Sequence, residues 1–154
     1  KMKKIKAEQI KRLRQLTRCG VMACRQALEE SNADMKVAKE WLKKHGAKAA
    51  EKKADRETKE GLIETYTHSD GKIVGLVELL CETDFVASNE EFKNLAHELA
   101  MQIAAMAPKN VEELYQQPYI RDENLKVKNL VEETIGKLGE NIIVFKIARF
   151  VLGK

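Results

Sequence analysis

The 154-residue chain is 44% hydrophobic and 34% charged, which fits a globular protein with one core, or with a core and a small satellite domain. Its formal net charge of +4 permits an acidic partner but is weak for a dedicated nucleic-acid binder, which usually has a denser basic face. No apolar stretch approaches the roughly 18 residues that span a membrane, and none follows the basic residues 1–5, so we expect neither a membrane protein nor a signal peptide.

Residues 1–46 carry three apolar stripes with helical spacing, which predicts a bundle of three short helices with a thin core. The stripes are Ile10, Leu13 and Leu16, then Val21, Cys24, Ala27 and Leu28, then Val37, Ala38, Trp41 and Leu42. Gly20 separates the first two helices. Asp34 is expected to cap the third helix at its start, and Gly46 is expected to end it.

Residues 47–60 are rich in Ala, Lys and Glu and have only a narrow apolar stripe. This composition predicts a largely exposed helical connector. Its charges of both signs are typical of a solvated helix face with i,i+4 pairs rather than of a nucleic-acid surface.

Residues 61–154 change character, and the chain as a whole is predicted to be an α+β protein. We expect about three antiparallel strands in this core, with helices on one face. The predicted strands are 62–68, 73–81 and 142–152, and the predicted helices are 89–107 and 124–137, with a short turn over 111–115. The second strand is apolar on both faces, as a central strand would be, and Asp-Gly at 70–71 predicts a hairpin turn over 69–72. The long helix is expected to bury Phe92, Leu95, Ala96, Leu99, Ile103 and Met106.

The sequence offers no catalytic constellation. Its three cysteines contain no C-x-x-C pair, and small buried thiols in a reducing compartment account for Cys24 and Cys81. The three histidines match no metal-ligand spacing, and no phosphate-binding Gly-rich loop or nucleophile elbow occurs. We therefore expect no cofactor and no metal site, in a cytoplasmic protein that is not an enzyme of covalent chemistry.

An acid and a large aromatic, Asp84 and Phe85, lie in the short connection between the predicted strand and the long helix. Connections lie on the surface and often carry function, so Phe85 is a candidate wedge into a partner.

A buried position for Phe85 is the alternative. Ser88 and Glu91 fit the capping box of a helix start, and Phe85 or Val86 could then pack on Phe92 as a hydrophobic staple. From spacing alone the staple is favoured, because large aromatics usually belong to a core.

Four motifs in the same order resemble the family of bacterial-type elongation factor Ts, the nucleotide exchange factor of elongation factor Tu. Residues 13–28 resemble the first family signature, and Glu-Thr-Asp-Phe-Val-Ala at 82–87 matches the second. Gln-Pro-Tyr at 117–119 and Gly-Glu-Asn-Ile at 139–142 match later landmarks. Arg18-Cys19 departs from the usual Gly-Ala, and Ala23 from the usual Asp.

The resemblance implies that residues 1–46 form a module similar to ubiquitin-associated domains and dock on the nucleotide-binding domain of elongation factor Tu. Arg14 and Met22 match the docking positions, and Val21, a third docking residue, stands where the family often has Met, although it also lies on an apolar stripe and could pack within the bundle.

The resemblance also implies that Thr83, Asp84, Phe85 and Val86 form a wedge near the Mg²⁺ and phosphate site of that GTPase. The wedge would promote GDP release without binding nucleotide itself, and it makes an exposed Phe85 the better expectation.

The core resembles a shortened form of the family's dimerisation-type domain, because few residues separate Pro108 from Gln117 where family members usually carry an insertion. We therefore expect a monomer or a weak homodimer. Two other functions remain open: an adaptor that binds through residues 1–46 alone, and an RNA or ribosome binder that uses the lysines at 43, 44, 48, 52 and 53.

Overall fold

A computed structural model describes residues 4–68 and 70–154. The helices of the described residues are α1 Ala7–Thr17, α2 Val21–Glu30, α3 Met35–Lys53, α4 Asp84–Ala87, α5 Glu90–Met106, α6 Val111–Gln116 and α7 Val127–Leu138. The strands are β1 Glu60–His68, β2 Ile73–Cys81, β3 Pro118–Tyr119, β4 Asp122–Lys126 and β5 Ile143–Val151. This architecture confirms the α+β class.

The main sheet is antiparallel with strand order β1-β2-β5. The central position of β2 confirms the expectation drawn from its two apolar faces. In the β1–β2 hairpin, residue 69 of the predicted turn lies outside the described residues. Gly71 adopts a φ of 79° and donates its N–H to the His68 carbonyl at 3.0 Å, so the Asp-Gly turn prediction holds for the described part.

Helix α5 packs against one face of the sheet and forms the larger hydrophobic core. Val77, Leu79 and Cys81 of β2 are buried there, because alternate residues of a strand point to the same face. Helix α7 adds Val127 and Val131 to this core. The opposite face of the sheet has no helix of the described residues packed on it, and it presents Ile63 and Phe150 to solvent.

Close approach of α5 to β2 requires glycine at residue 75. A Cβ atom there would lie 2.2 Å from the Ala100 carbonyl oxygen and 2.8 Å from the Ala104 nitrogen. Both are backbone atoms of α5, which cannot move aside as a flexible side chain would.

The three N-terminal helices enclose a second, smaller core, as predicted. It contains Leu13, Cys24, Ala27, Leu28, Ala38 and Leu42. Leu16, Val21 and Val37, which belong to the predicted stripes, are exposed instead. Three short helices meet along a narrow seam, so they cover only part of each stripe.

The predicted end of α3 at Gly46 is wrong, because the helix continues to Lys53. Gly46 is buried against α7, where an added Cβ would lie 3.1 Å from the Glu132 carbonyl oxygen. Its partner in the crossing is Gly136, whose own Cβ would lie 2.9 Å from the Gly46 Cα. The glycine therefore permits a close helix crossing and does not stop the helix.

A short hairpin, β3–β4, was not predicted and delays the start of α7 from the expected 124 to Val127. It is attached to α5 by side chains distant in sequence. The buried Gln102 donates to the Pro118 carbonyl at 3.0 Å and accepts from the Ile120 amide at 3.0 Å. The predicted turn over 111–115 is the short helix α6.

Met106 was expected to be buried on α5 but is exposed. It is the last residue of the helix, which ends at Ala107 in a left-handed conformation with a φ of 48°. The buried residues of the helix end with Ile103 and Ala104, one turn before Met106.

Replacing Gly75 by Ala should destabilise the protein by about 3 kcal/mol, because the added methyl meets backbone atoms on two sides. Gly20→Ala is the matched control. A Cβ at Gly20 would have nothing within 4 Å, and its loss as a helix cap should cost no more than about 1 kcal/mol. Equal urea-unfolding midpoints for the two variants would contradict the close packing of α5 on β2.

Candidate partner-binding surface

The Asp-Phe pair lies on a single helical turn between β2 and α5. Thr83 caps α4, and its side-chain oxygen accepts a hydrogen bond from the Val86 amide at 3.3 Å. Within this turn Val86 is 5% exposed and belongs to the larger core, whereas Phe85 is 81% exposed. The expectation that Phe85 is exposed is confirmed.

The buried position for Phe85 is wrong, and so is the capping box at Ser88, whereas Val86 does lie in one buried cluster with Phe92. The cap of α5 is Asn89, whose side chain accepts from the Glu91 amide at 2.8 Å. Ser88 instead follows α4, and its hydroxyl donates to the Asp84 carbonyl at 3.0 Å. Val86 is the apolar residue that packs inward, so the core does not need the Phe85 ring.

A glutamate distant in sequence holds the start of the Asp-Phe turn. One carboxylate oxygen of Glu140 accepts from the backbone amides of Glu82 at 3.1 Å and Thr83 at 3.0 Å, and the other accepts from the Thr83 hydroxyl at 2.7 Å. Glu140 follows α7 and lies just before β5. One side chain therefore fixes two consecutive peptide groups and the cap of α4.

The opposite contact is also present. The Glu82 carboxylate accepts from the Asn141 backbone amide at 2.8 Å, so each of the two loops offers a carboxylate to the backbone of the other. The buried Asn141 side-chain amide donates to the carbonyls of Ala54 at 3.3 Å and Arg56 at 2.9 Å. We call the contacts among Glu82, Thr83, Glu140, Asn141 and the segment 54–56 the loop clasp.

Cys81 supports the same turn from beneath. Its thiol donates to the Thr83 carbonyl at 3.1 Å. Burial, with a contribution from nearby Glu140, raises the Cys81 pKa to about 11. The thiol is therefore protonated at neutral pH, as a hydrogen-bond donor must be.

Sequence reasoning missed the contacts of the clasp. Thr83 was a predicted site residue, and Glu140 and Asn141 stand in one of the family motifs, but nothing in their spacing indicates contact with residues almost sixty positions earlier. The only signal for these contacts in the sequence was indirect. A Glu-Asn pair between a helix end and a strand is normally exposed, and if the pair is buried, its polar groups need hydrogen-bond partners elsewhere in the chain.

The three predicted docking residues are all exposed. Val21 and Met22 open α2, with side chains 47% and 71% exposed, and Arg14 is exposed on α1. Val21 therefore does not pack within the bundle. Two neighbouring exposed apolar side chains at a helix start form a small apolar surface.

An ion pair connects this part of the bundle to the region of the Asp-Phe turn. Arg18 ends α1 in a left-handed conformation with a φ of 56°. Its guanidinium lies 2.8 Å from the Glu91 carboxylate, in the first turn of α5. The corner between α1 and α2 thus lies beside the start of α5, which directly follows the Asp-Phe turn.

Over residues 4–68 and 70–154 no group of three His, Cys, Asp or Glu side chains could hold a metal ion. Within the same residues no helix is long and apolar enough to cross a membrane.

Comparison with known proteins gives a consistent result. A family model described as Elongation factor TS matches residues 82–154. Elongation factor Ts of Rippkaea orientalis is 41% identical, with 99% of this chain and 80% of that protein covered. Elongation factor Ts of Thermotoga maritima is 41% identical, with 97% of both chains covered. Elongation factor Ts of Oleidesulfovibrio alaskensis is 40% identical, with 99% of this chain and 100% of that protein covered.

The alignments are longer than the chain itself. That with the Thermotoga maritima protein spans 193 positions, against 154 residues here. Such relatives therefore carry residues within the aligned region that this chain lacks, which agrees with a shortened form.

The exposure of Phe85 has a direct consequence for stability. Phe85→Ala should change the free energy of unfolding by less than about 1 kcal/mol, as at other surface positions. Phe92→Ala, a matched change at a fully buried ring, should cost about 3–5 kcal/mol. Urea unfolding of both variants measures the difference, and a large loss for Phe85→Ala would show that its ring belongs to the core.

Proposed function

The chain belongs to the elongation factor Ts family of translation elongation factors, and we propose that it promotes release of GDP from elongation factor Tu. The observation that carries this proposal is the exposed Phe85 on a turn fixed by hydrogen bonds. The ring is 81% exposed, and Val86 rather than Phe85 fills the core, so the ring is free to insert into a partner. We call residues 83–86, which contain this ring, the wedge segment.

Release of GDP follows from thermodynamic linkage. If the exchange factor lowers the affinity of the GTPase for nucleotide, then nucleotide lowers the affinity for the factor by the same ratio. Phe85 would insert into the GTPase near the Mg²⁺ and phosphate site and favour a conformation in which the nucleotide ligands are displaced. No covalent step is needed, so no catalytic side chains are required.

Asp84 would act by charge. It is exposed beside Phe85 in the first turn of α4. A carboxylate brought close to the Mg²⁺ and phosphate site would repel the phosphates and compete for the groups that bind the metal ion. It could also cap a helix N-terminus of the partner, where negative charge is favoured.

The N-terminal bundle would supply affinity. Arg14, Val21 and Met22 form a second contact on the nucleotide-binding domain of the partner. The Arg18–Glu91 ion pair supports a joint interface, because it holds the corner of the bundle beside the first turn of α5. Two connected contacts bind more tightly than either one, provided that both reach the partner together.

Catalytic amounts of the protein should accelerate release of fluorescently labelled GDP from the cognate elongation factor Tu. Phe85→Ala should lower this acceleration by about 30-fold, as expected for an aromatic side chain central to an interface. Asp84→Asn keeps the shape and removes the charge, so it should give a smaller loss that isolates the electrostatic part.

Phe150→Ala is the matched control, since Phe150 is an exposed ring on the open face of the sheet. It should leave the rate unchanged. Absence of acceleration by the unaltered protein would remove the proposed function and favour the adaptor or RNA-binding alternative, whereas equal activity of Phe85→Ala would remove only the wedge.

Met22→Asp should weaken binding to elongation factor Tu by about tenfold or more, because a charge replaces an apolar contact. Val37→Asp is the control: Val37 is also an exposed apolar residue in the first turn of a bundle helix. Both changes place an acid in the first turn of a helix, where the helix dipole favours negative charge. The helical content measured by circular dichroism should therefore not change. If calorimetry gave the same affinity for Met22→Asp and Val37→Asp, docking would not use Met22.

A further inference from the structure

We propose that Glu140 and Asn141 are positioning residues for nucleotide exchange, acting through the loop clasp. This inference rests on the proposed function, since it concerns how the wedge segment is held. Neither residue would touch the nucleotide. Glu140 would set the direction of the wedge segment, and Asn141 would set where that segment lies relative to the helix that carries the docking module.

The clasp holds the turn at more than one point, which is what prevents rotation. A single hydrogen bond would leave the turn free to pivot about it. Glu140 instead accepts from two consecutive amides and from the Thr83 hydroxyl, at 3.1, 3.0 and 2.7 Å. The Thr83 side-chain oxygen in turn accepts from the Val86 amide. A chain of hydrogen bonds therefore runs from Glu140 through Thr83 to Val86, the residue next to Phe85.

Charge explains why a carboxylate suits this place. Hydrogen bonds to an ionised oxygen are shorter and about twice as strong as neutral ones. Glu140 uses both oxygens as acceptors, and its partners are donors. An amide side chain would offer one acceptor oxygen, and its N–H₂ group would face the Thr83 hydroxyl, which then loses its own acceptor.

Asn141 connects the clasp to the N-terminal half of the chain. Its side-chain amide donates to the carbonyls of Ala54 and Arg56, just after α3 ends at Lys53. The Arg56 guanidinium lies 3.7 Å from the Glu82 carboxylate. The end of α3, the wedge segment and the loop before β5 therefore meet at one point.

The position of Glu140 in the clasp separates orientation from stability, whereas Asn141 is buried. Thr83 and Arg56 are exposed, and Glu140 is half-buried. The apolar residues of the two cores are buried by other contacts. Loss of the Glu140 side chain would therefore leave both cores complete and free the two amides to bind water.

Misplacement of a rigid group by about 1 Å can cost up to a hundredfold in rate. Glu140→Ala should accordingly lower the maximal GDP-release rate at saturating factor by about tenfold to a hundredfold. The factor concentration that gives half of this rate should change by less than about threefold, because the docking surface remains. Glu140→Gln keeps one acceptor oxygen and should restore part of the rate.

Asn141→Ser tests the second residue, because it shortens the side chain that reaches α3 and keeps a polar group. Since the connection between the end of α3 and the wedge segment is loosened, we expect a smaller loss of maximal rate, about threefold to tenfold.

Glu132→Ala is the matched control. It removes another partly buried glutamate from the same region, one that faces Lys128 at 3.9 Å and lies outside the clasp. Its maximal rate should equal that of the unaltered protein. A Glu140→Ala variant with an unchanged maximal rate, or with a loss no larger than its unfolded fraction, would overturn the inference.

Amide hydrogen exchange, read by nuclear magnetic resonance, tests the clasp without the partner. The Glu82 and Thr83 amides should be protected in the unaltered protein and lose at least tenfold of that protection in Glu140→Ala, while the β2 amides stay protected. Unchanged protection in the variant would overturn the clasp. If the unaltered protein did not accelerate GDP release from elongation factor Tu, while the protection of its Glu82 and Thr83 amides behaved as expected, only the proposed function would fail.

Discussion

Packing of α5 on β2 is the constraint from which the rest of the structure follows. At Gly75 the two elements approach so closely that a single methyl group does not fit. Above this contact Leu79 and Leu99 are fully buried, so strand and helix are fixed along their shared length. The connection between them therefore begins and ends at rigid points, and the burial of Val86 inside it decides which way Phe85 faces. The exposure of Phe85 is a consequence of core packing.

Polar contacts then fix what apolar packing leaves free. Hydrophobic burial is non-directional, so it places the turn against the core without setting its rotation. Hydrogen bonds are directional, and those of Glu140 and Glu82 join two loops far apart in sequence. Helix α3 joins more distant parts of the molecule, the two hydrophobic cores. Its Leu42 belongs to the small core and its Ala50 packs against the large one, so one continuous helix connects both cores.

The sequence predicted those parts of the fold that local patterns determine. The bounds of β2 were right at both residues, and the helix predicted over 89–107 is α5, Glu90–Met106. Some errors arose where distant residues decide. Gly46 is the usual signal for a helix end, but contact with Gly136 gives it another role. Local spacing contains no information on that contact, nor on the one between Glu140 and Thr83. The cap was a different kind of error, because Ser88 and its neighbour Asn89 are both good cap residues and Asn89 makes the bond. Exposure of Phe85 was correctly expected only from the family resemblance.

The order of pairing in the sheet bears on how the chain folds as it is synthesised. The bundle and the β1–β2 hairpin use neighbours in sequence, so each can form soon after its residues leave the ribosome. The second edge of β2 has to wait, since Ile73 pairs with Val151. During that interval a strand with apolar side chains on both faces has a free edge, the arrangement most prone to pairing with another chain. Early packing of α5 covers one face of this strand, and for a nascent chain the tight contact at Gly75 is therefore also a protection against aggregation.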